Sequence, residues 1–235
     1  GPDAIAKLAA YQDVTSVALL SAFPHQETGT WLEKWIIPLM HYILLCYLPF
    51  SRMRSSNSTA YASGCGQLFM TRKDDYRKAG THKAIAASRH DGLKLPKAYR
   101  LAGLSTDVVD GSAIASCRMY QSTGEVIFGV LKNATEGIAN VRLIVPFTIL
   151  LVGGSILPIM TAAYAVIAGR PVVLLVSLSG VLLGHFPRAI AALRFRQPLA
   201  GVVMHSLSVT VFILLQWFAM VQSTLGYKVA WRGRR

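Results

Sequence analysis

Carboxylates run out early in this chain. All eleven Asp and Glu lie at or before Glu136, and the 99 residues from Gly137 to Arg235 carry nine Lys or Arg and no acid. A spanning helix needs about 20 mostly apolar residues, and a carboxylate at its centre costs roughly 3 kcal/mol on insertion scales. An acid-free apolar stretch of this length argues against an ordinary soluble domain and for a bilayer. Cysteine is also scarce. Cys46, Cys65 and Cys117 show no Cys-x-x-Cys spacing and leave an odd count, so neither a zinc site nor a disulfide framework is indicated. Such cysteines fit a reducing, cytoplasm-facing environment. The first residue is Gly1, not Met, and no signal-type basic segment precedes the first helix.

What the chain has instead is hydrophobic residues (53%) and a formal charge of +13. The basic residues flank apolar runs instead of lining one stripe. That pattern disfavours nucleic acid and suits anionic lipid headgroups. Three runs form the tail: Leu143 to Ala168, broken by Pro146, Gly153, Gly154 and Pro158; Val172 to Leu193, holding His185, Pro187 and Arg188; and Leu199 to Leu225. Each is long enough to span, and Pro or Gly inside such helices is tolerated where neighbours re-satisfy the backbone. The connector at Arg170 carries one charge, whereas Arg194 and Arg196 put two in the next. Positive-inside reasoning then places the front half on the cytoplasmic side. A third full crossing puts Lys228, Arg232, Arg234 and Arg235 outside, against that rule, so either one run is re-entrant or the rule fails.

Residues 31–48 (WLEKWIIPLMHYILLCYL) are shorter, with Trp31, Trp35 and Tyr42 as belt aromatics. They read as a helix lying in the interface, or as a buried core helix. The following Ser51 to Ser58 reads as a basic mobile loop in which Arg52 and Arg54 meet headgroups. In the front half, helices are expected over Pro2–Gln12, Asp74–Ala79, His90–Leu101 and Ser122–Ala139. Strands are expected over Val14–Phe23, Tyr61–Thr71 with a Gly64–Gly66 kink, Thr106–Asp110 and Ala113–Cys117. Strands alternating with helices predict an α/β layer fold. The resulting division is 1–141 for the α/β part, 142–227 for membrane helices and 228–235 for a basic tail.

By position alone, Asp91 reads as a helix-capping carboxylate worth about 1 kcal/mol. The ordered set Gly64-x-Gly66-Gln67, Arg72, Tyr76, Gly80-x-His82, His90-Asp91-Gly92-x-x-Leu95, Gly103, Cys117-Arg118-Met119-Tyr120 and Gly129-x-x-Lys132-Asn133 resembles membrane-attached family 2 glycosyltransferases. The similarity is greatest to bacterial carotenoid and other lipid glycosyltransferases and covers roughly residues 1–137. The terminal Trp231-Arg232-Gly233-Arg234 also fits that subgroup. The resemblance implies part of an A-type, Rossmann-like transferase domain followed by membrane helices, seated at the cell inner membrane with its catalytic part cytoplasmic. It gives Asp91 the role of general base, with His90 where a second acid often stands. Cys65, Gly66 and Gln67 become an acceptor-side wall. Arg118, Met119 and Tyr120 take the place of an arginine–aromatic motif serving the acceptor channel and the diphosphate leaving group. Trp31, Trp35, Arg52, Arg54 and Lys132 are the expected membrane contacts.

The implied substrates are a nucleotide sugar, a UDP-sugar foremost, and a lipid acceptor. The family's metal motif, Asp-x-Asp, does not occur here, and Asp74-Asp75 lies in the wrong element to replace it. The expectation is a C-terminal portion of a longer enzyme whose divalent ion (Mg or Mn) finds its ligands elsewhere. Two alternatives remain: a processive polysaccharide synthase, whose Gln-x-x-Arg-Trp motif is not matched at Ala115–Tyr120, and an inactive truncated membrane protein.

Overall fold

The computed structural model describes residues 1–227; the basic tail at 228–235 lies outside the described residues, as does the Trp231–Arg234 motif. In chain order the elements are α1 (Ala4–Thr15), β1 (Leu19–Gln26), α2 (Trp31–Ile36), α3 (Leu39–Tyr47), α4 (Phe50–Ser55), β2 (Phe69–Thr71), α5 (Lys73–Lys78), α6 (Asp91–Leu101) and β3 (Thr106–Cys117). They continue with α7 (Thr123–Ala134), α8 (Ile144–Leu151), α9 (Leu157–Ile167), α10 (Pro171–Arg194), α11 (Ala200–Val203) and α12 (His205–Thr224). The chain is therefore a mixed helix and sheet protein with membrane-length helices. It divides into two units: one holds Gly1–Glu27 and Tyr47–Met119, the other Thr28–Cys46 and Tyr120 onward.

The first unit is organised on β1, which pairs antiparallel with β2 and parallel with β3 in the order β2-β1-β3. Successive strand side chains point to opposite faces. Leu19 accordingly joins Ala79, Leu95, Tyr99 and Leu104 under the α5–α6 side, and Leu20 and Ala22 join Leu8 and Val17 under α1. Helices thus cover both faces of the sheet, which explains why β1 reads as a continuous apolar run.

Three local expectations are corrected here. The strand begins at Leu19, not Val14, because α1 continues to Thr15 and ends on Ser16 in the left-handed conformation, its amide bonded to the Gln12 carbonyl. Tyr61–Thr71 is strand only over Phe69–Thr71. Ahead of it the Cys65 amide is taken by the Ser21 hydroxyl at 2.7 Å instead of a ladder carbonyl. The two short strands after Thr106 are one strand, with a register irregularity at Pro24/His25 of its partner.

Two buried charged residues hold the rest of this unit. Arg100 in α6 donates from Nε to the Thr106 hydroxyl, from Nη1 to the carbonyls of Ser56 and Ser58, and from Nη2 to those of Met53 and Thr106. Burial pushes its pKa down, with the Asp107 carboxylate opposing that shift. The segment expected as a mobile basic loop is instead the helix α4 and a turn fastened to this guanidinium. Asp107, buried in β3, accepts from Arg54 Nε, the Tyr11 hydroxyl and the Val108 amide. Arg54 therefore directs its Nε to an internal partner, although it is exposed, as is Arg52.

The second unit contains three helical stretches long and apolar enough to cross a membrane: Ile144–Ile167, Pro171–Arg194 and His205–Thr224. The first is continuous through Pro146, Gly153, Gly154 and Pro158 because a π-helical turn over Val152–Ile156 joins α8 to α9. Small residues permit close crossing between spanning helices. A Cβ on Gly184 of α10 would strike the Gly154 carbonyl, and one on Gly180 would lie 3.2 Å from Pro158. Polar side chains tie the seam: Ser177 donates to Thr161 at 2.9 Å, and Ser155 Oγ meets His205 Nε2 at 3.1 Å.

Residues 31–48 are not one helix. Thr30 and Glu33 form a reciprocal capping box at the start of α2, and the chain restarts at Leu39 just after Pro38. This segment, interrupted at Pro38, belongs with the apolar helices. The fully buried Arg188 donates to the Trp35 carbonyl at the end of α2 and to the Gly201 carbonyl, while Tyr42 lies 3.4 Å from Ser155. The cation at a helix C-terminus complements the helix dipole.

Arg100→Met would remove the bonds to four backbone carbonyls and leave them to be re-solvated. Its expected cost is about 3 kcal/mol, on the scale of breaking a buried polar network. A melting curve of the purified protein, followed by circular dichroism, measures it. A loss below about 0.5 kcal/mol, the range of neutral surface changes, would contradict the fastening role.

Candidate functional site

Helix α6 opens at Asp91 immediately after His90, as the residue pattern predicts, and stops before Gly103, whose φ of +75° suits glycine. His90, not Asp91, is the capping residue, and its side chain makes no cap bond. Asp91 is the first helical residue, exposed, and its Oδ1 accepts from the Gly92 amide at 2.8 Å. A carboxylate in the first helical turn is stabilised as an anion by the unpaired amides there.

The loop carrying Gly64 to Gln67 lies flat on this helix start. A Cβ added to Gly66 would collide with the Asp91 carboxylate, and one added to Gly92 would come within 2.6 Å of the Gly64 carbonyl. Gly92 therefore permits a backbone-to-backbone approach, and Gly66 an approach of backbone to carboxylate, that any side chain would prevent. Asp91, His90, Cys65, Gly66 and Gln67 are brought together in this way.

Ser21 and Gln26 of β1 complete the cluster and are absent from the sequence-based set. Ser21 Oγ accepts from the Cys65 amide. The Gln26 and Gln67 side chains exchange two hydrogen bonds, at 2.7 and 3.3 Å, and Gln26 also donates to the Pro24 carbonyl. Polar residues inside an otherwise apolar strand (LLSAFPHQ) are the signal that could have found them. Cys65 Sγ lies 3.4 Å from Gln67 Oε1. Burial pushes the Cys65 thiol up to about 11, with the neighbouring Cys117 and Asp91 adding to the rise and the bond at Gln67 opposing it. The site thus pairs an exposed carboxylate with a protonated, uncharged thiol.

Cys117 pairs with Gln26 in the β1–β3 register, so the exposed Arg118 and Met119 follow directly from this end of the sheet, in the same unit. Tyr120 belongs to the other unit, packed so closely over Gly129 that a Cβ there would overlap its hydroxyl. Burial raises the Tyr120 pKa. Trp31, Trp35 and Lys132 are also in that second unit. Trp31 is 66% exposed with Lys34 Nζ 5.4 Å from its ring centre, whereas the Trp35 indole nitrogen is buried without a hydrogen-bond acceptor. Among the described residues, no group of three or more His, Cys, Asp or Glu is gathered so as to hold a metal ion. The residues present do not fit a metal centre, and no step below passes through one.

No family model, curated protein or solved structure matches this chain.

The raised thiol pKa has a direct consequence. At pH 8, Cys65 should alkylate with iodoacetamide roughly a hundredfold more slowly in the folded than in the denatured protein, since the thiolate is the reactive form. Peptide mass spectrometry of each state reads this. The folded state holds the thiol proton more tightly, so this group's contribution to stability falls as pH rises from about 9 toward 11. Equal rates at pH 8 in both states would show that the loop does not bury Cys65.

Proposed function

We propose that this chain is part of a membrane-bound inverting glycosyltransferase that moves a sugar from a nucleotide donor, a UDP-sugar, to a lipid acceptor, with Asp91 as general base. The observation that carries the reading is the placement of Asp91. It is an exposed carboxylate at the first turn of α6, with Gly66 of the 64–67 loop pressed against it. The parallel β1–β3 pair with helices on both faces is compatible with a fragment of a Rossmann-like transferase domain. The three membrane-length helices in the same chain favour an acceptor that resides in a bilayer. We assign the transfer to the cytoplasmic face of the inner membrane on the basis of the positive-inside pattern.

In the proposed step, the acceptor hydroxyl oxygen attacks the anomeric carbon as the bond from that carbon to the diphosphate oxygen breaks. The hydroxyl proton passes to a carboxylate oxygen of Asp91, and the electron pair of the broken bond leaves with the nucleotide diphosphate. Attack opposite to the leaving group inverts the anomeric centre. Positioning a base within reach of the proton contributes about 10²–10⁴ in rate. Gly66 and Gly92 keep the carboxylate open to the acceptor. The Gln26–Gln67 pair fixes the wall beside it, and Cys65 offers a neutral thiol that does not compete for the proton. Arg118, one residue beyond the β1–β3 pairing, would supply positive charge to the leaving diphosphate.

Asp91→Asn in the complete membrane-embedded enzyme should lower sugar transfer on the order of 10²–10⁴ while nucleotide-sugar binding stays near its original strength. Radiolabelled sugar appearing in the lipid phase measures the first, and calorimetric titration with UDP-sugar the second. Transfer by the Asn variant within about tenfold of the parent would remove Asp91 from the mechanism.

A further inference from the structure

Helix α3 (LMHYILLCY) is polar on its buried side and apolar on its exposed side. The rings of His41 and Tyr42 are buried, whereas Met40 is 50% exposed, Leu45 is 41% exposed and Cys46 is exposed as well. The Gln197 side-chain amide meets His41 Nδ1 at 2.9 Å, and the Phe195 ring lies 4.3 Å from the His41 ring. The Tyr42 ring lies 4.6 Å from that of His205. A surface helix in water does the opposite: its apolar stripe faces the core and its polar residues face out. Helix α3 also carries no Lys, Arg, Asp or Glu. Polar residues turned inward and apolar ones turned outward are the arrangement that hydrocarbon surroundings favour.

The neighbours of α3 give its depth. Tyr42 lies 3.4 Å from Ser155, in the π-helical turn of the first membrane-length helix. At the same level Gly184 of α10 packs on the Gly154 carbonyl, and the His185 ring lies 5.0 Å from that of His205. From Ser155 to Ile167, where that first helix ends, the path is about 18 Å at the α-helical rise. A hydrocarbon core is about 30 Å thick, so with Ile167 at one boundary Tyr42 is about 12 Å inside the other. Helices α2 and α3 are only about 9 and 14 Å long, too short for either to cross. Both flanks of the segment, Glu27 and Tyr47, also belong to the first unit, so the chain enters and leaves from one body.

We propose that residues 31–46 form a non-crossing anchor embedded in one leaflet of the bilayer, with the outer face of α3 at Met40 and Leu45 lying against lipid acyl chains. The same unit exposes Ile149, Leu182 and Phe218 on its three membrane-length helices, and one hydrocarbon medium covers those residues and the α3 face alike. The anchor stands whether or not Asp91 transfers sugar.

The first arm of the test needs no substitution, because Met119 in the first unit is also 50% exposed and serves as an internal standard. The full chain in phosphatidylcholine nanodiscs is treated with chloramine-T, an oxidant confined to water, and peptide mass spectrometry reads the sulfoxide at each methionine. Met40 should oxidise roughly tenfold or more slowly than Met119, and the two rates should converge in urea. Equal rates in nanodiscs would place water on that face and overturn the proposal. The second arm separates lipid from a protein cover. A benzophenone side chain in place of Met40 should attach on illumination to acyl carbons of phosphatidylcholine, as the same probe in place of Leu182 does. Crosslinked dimers of the chain would make the face a contact between copies and sink the assignment. So would the lack of any lipid adduct from a protein whose circular dichroism matches the parent.

Discussion

Gly66 packs so closely on the Asp91 carboxylate that no Cβ would fit between them, and much of the first unit is arranged around that approach. A helix start attracts a carboxylate, and a glycine at position 66 lets that carboxylate stay exposed while packed. The loop is held from beneath by the Ser21 hydroxyl on the Cys65 amide and from the side by the paired amides of Gln26 and Gln67. Those anchors sit on β1, which is itself fixed by burial on both faces. At the far end of α6, Arg100 ties the helix to the chain leaving α4 and to the start of β3. The position of one exposed carboxylate is thereby set by contacts at both ends of its helix.

How much of this was legible in the residues depended on the range of the interactions. Helix α6 was readable because its signals are local: a polar start, helical spacing of Leu95 and Tyr99, and Gly103 where φ turns positive. The three membrane-length helices were readable for the same reason, since length and apolarity alone define them, except that the third begins at His205 and not at Leu199, where the short α11 precedes it. The phase of β1 was not, because a serine in the left-handed conformation ended α1 three residues past the predicted stop. The grouping of Thr28–Cys46 with the apolar helices was hidden as well. It depends on Arg188 reaching a carbonyl 153 positions earlier in the chain, which no pattern within that segment records.

The candidate site divides in the same way. Asp91, Gly66 and Gln67 were marked by type and order, yet Ser21 and Gln26 were passed over as strand residues. Their polarity matters only once β1 is known to run beneath the loop. Arg54 has a partner that its position in the sequence does not announce. Its charge suggested lipid, but Asp107 is buried nearby and takes its Nε, since an unpaired internal carboxylate is costly.

The π-helical turn at Val152–Ile156 carries an implication for how this protein tolerates change. Such a turn holds one residue more than the α-helical path needs. Winding those same five residues as plain α-helix, with none removed, would rotate everything beyond by about 100°. The Thr161 hydroxyl would swing off Ser177, and Pro158 would leave the surface of Gly180. The apparent defect is thus a phase setting: it decides which flank of α9 meets α10 and which meets lipid.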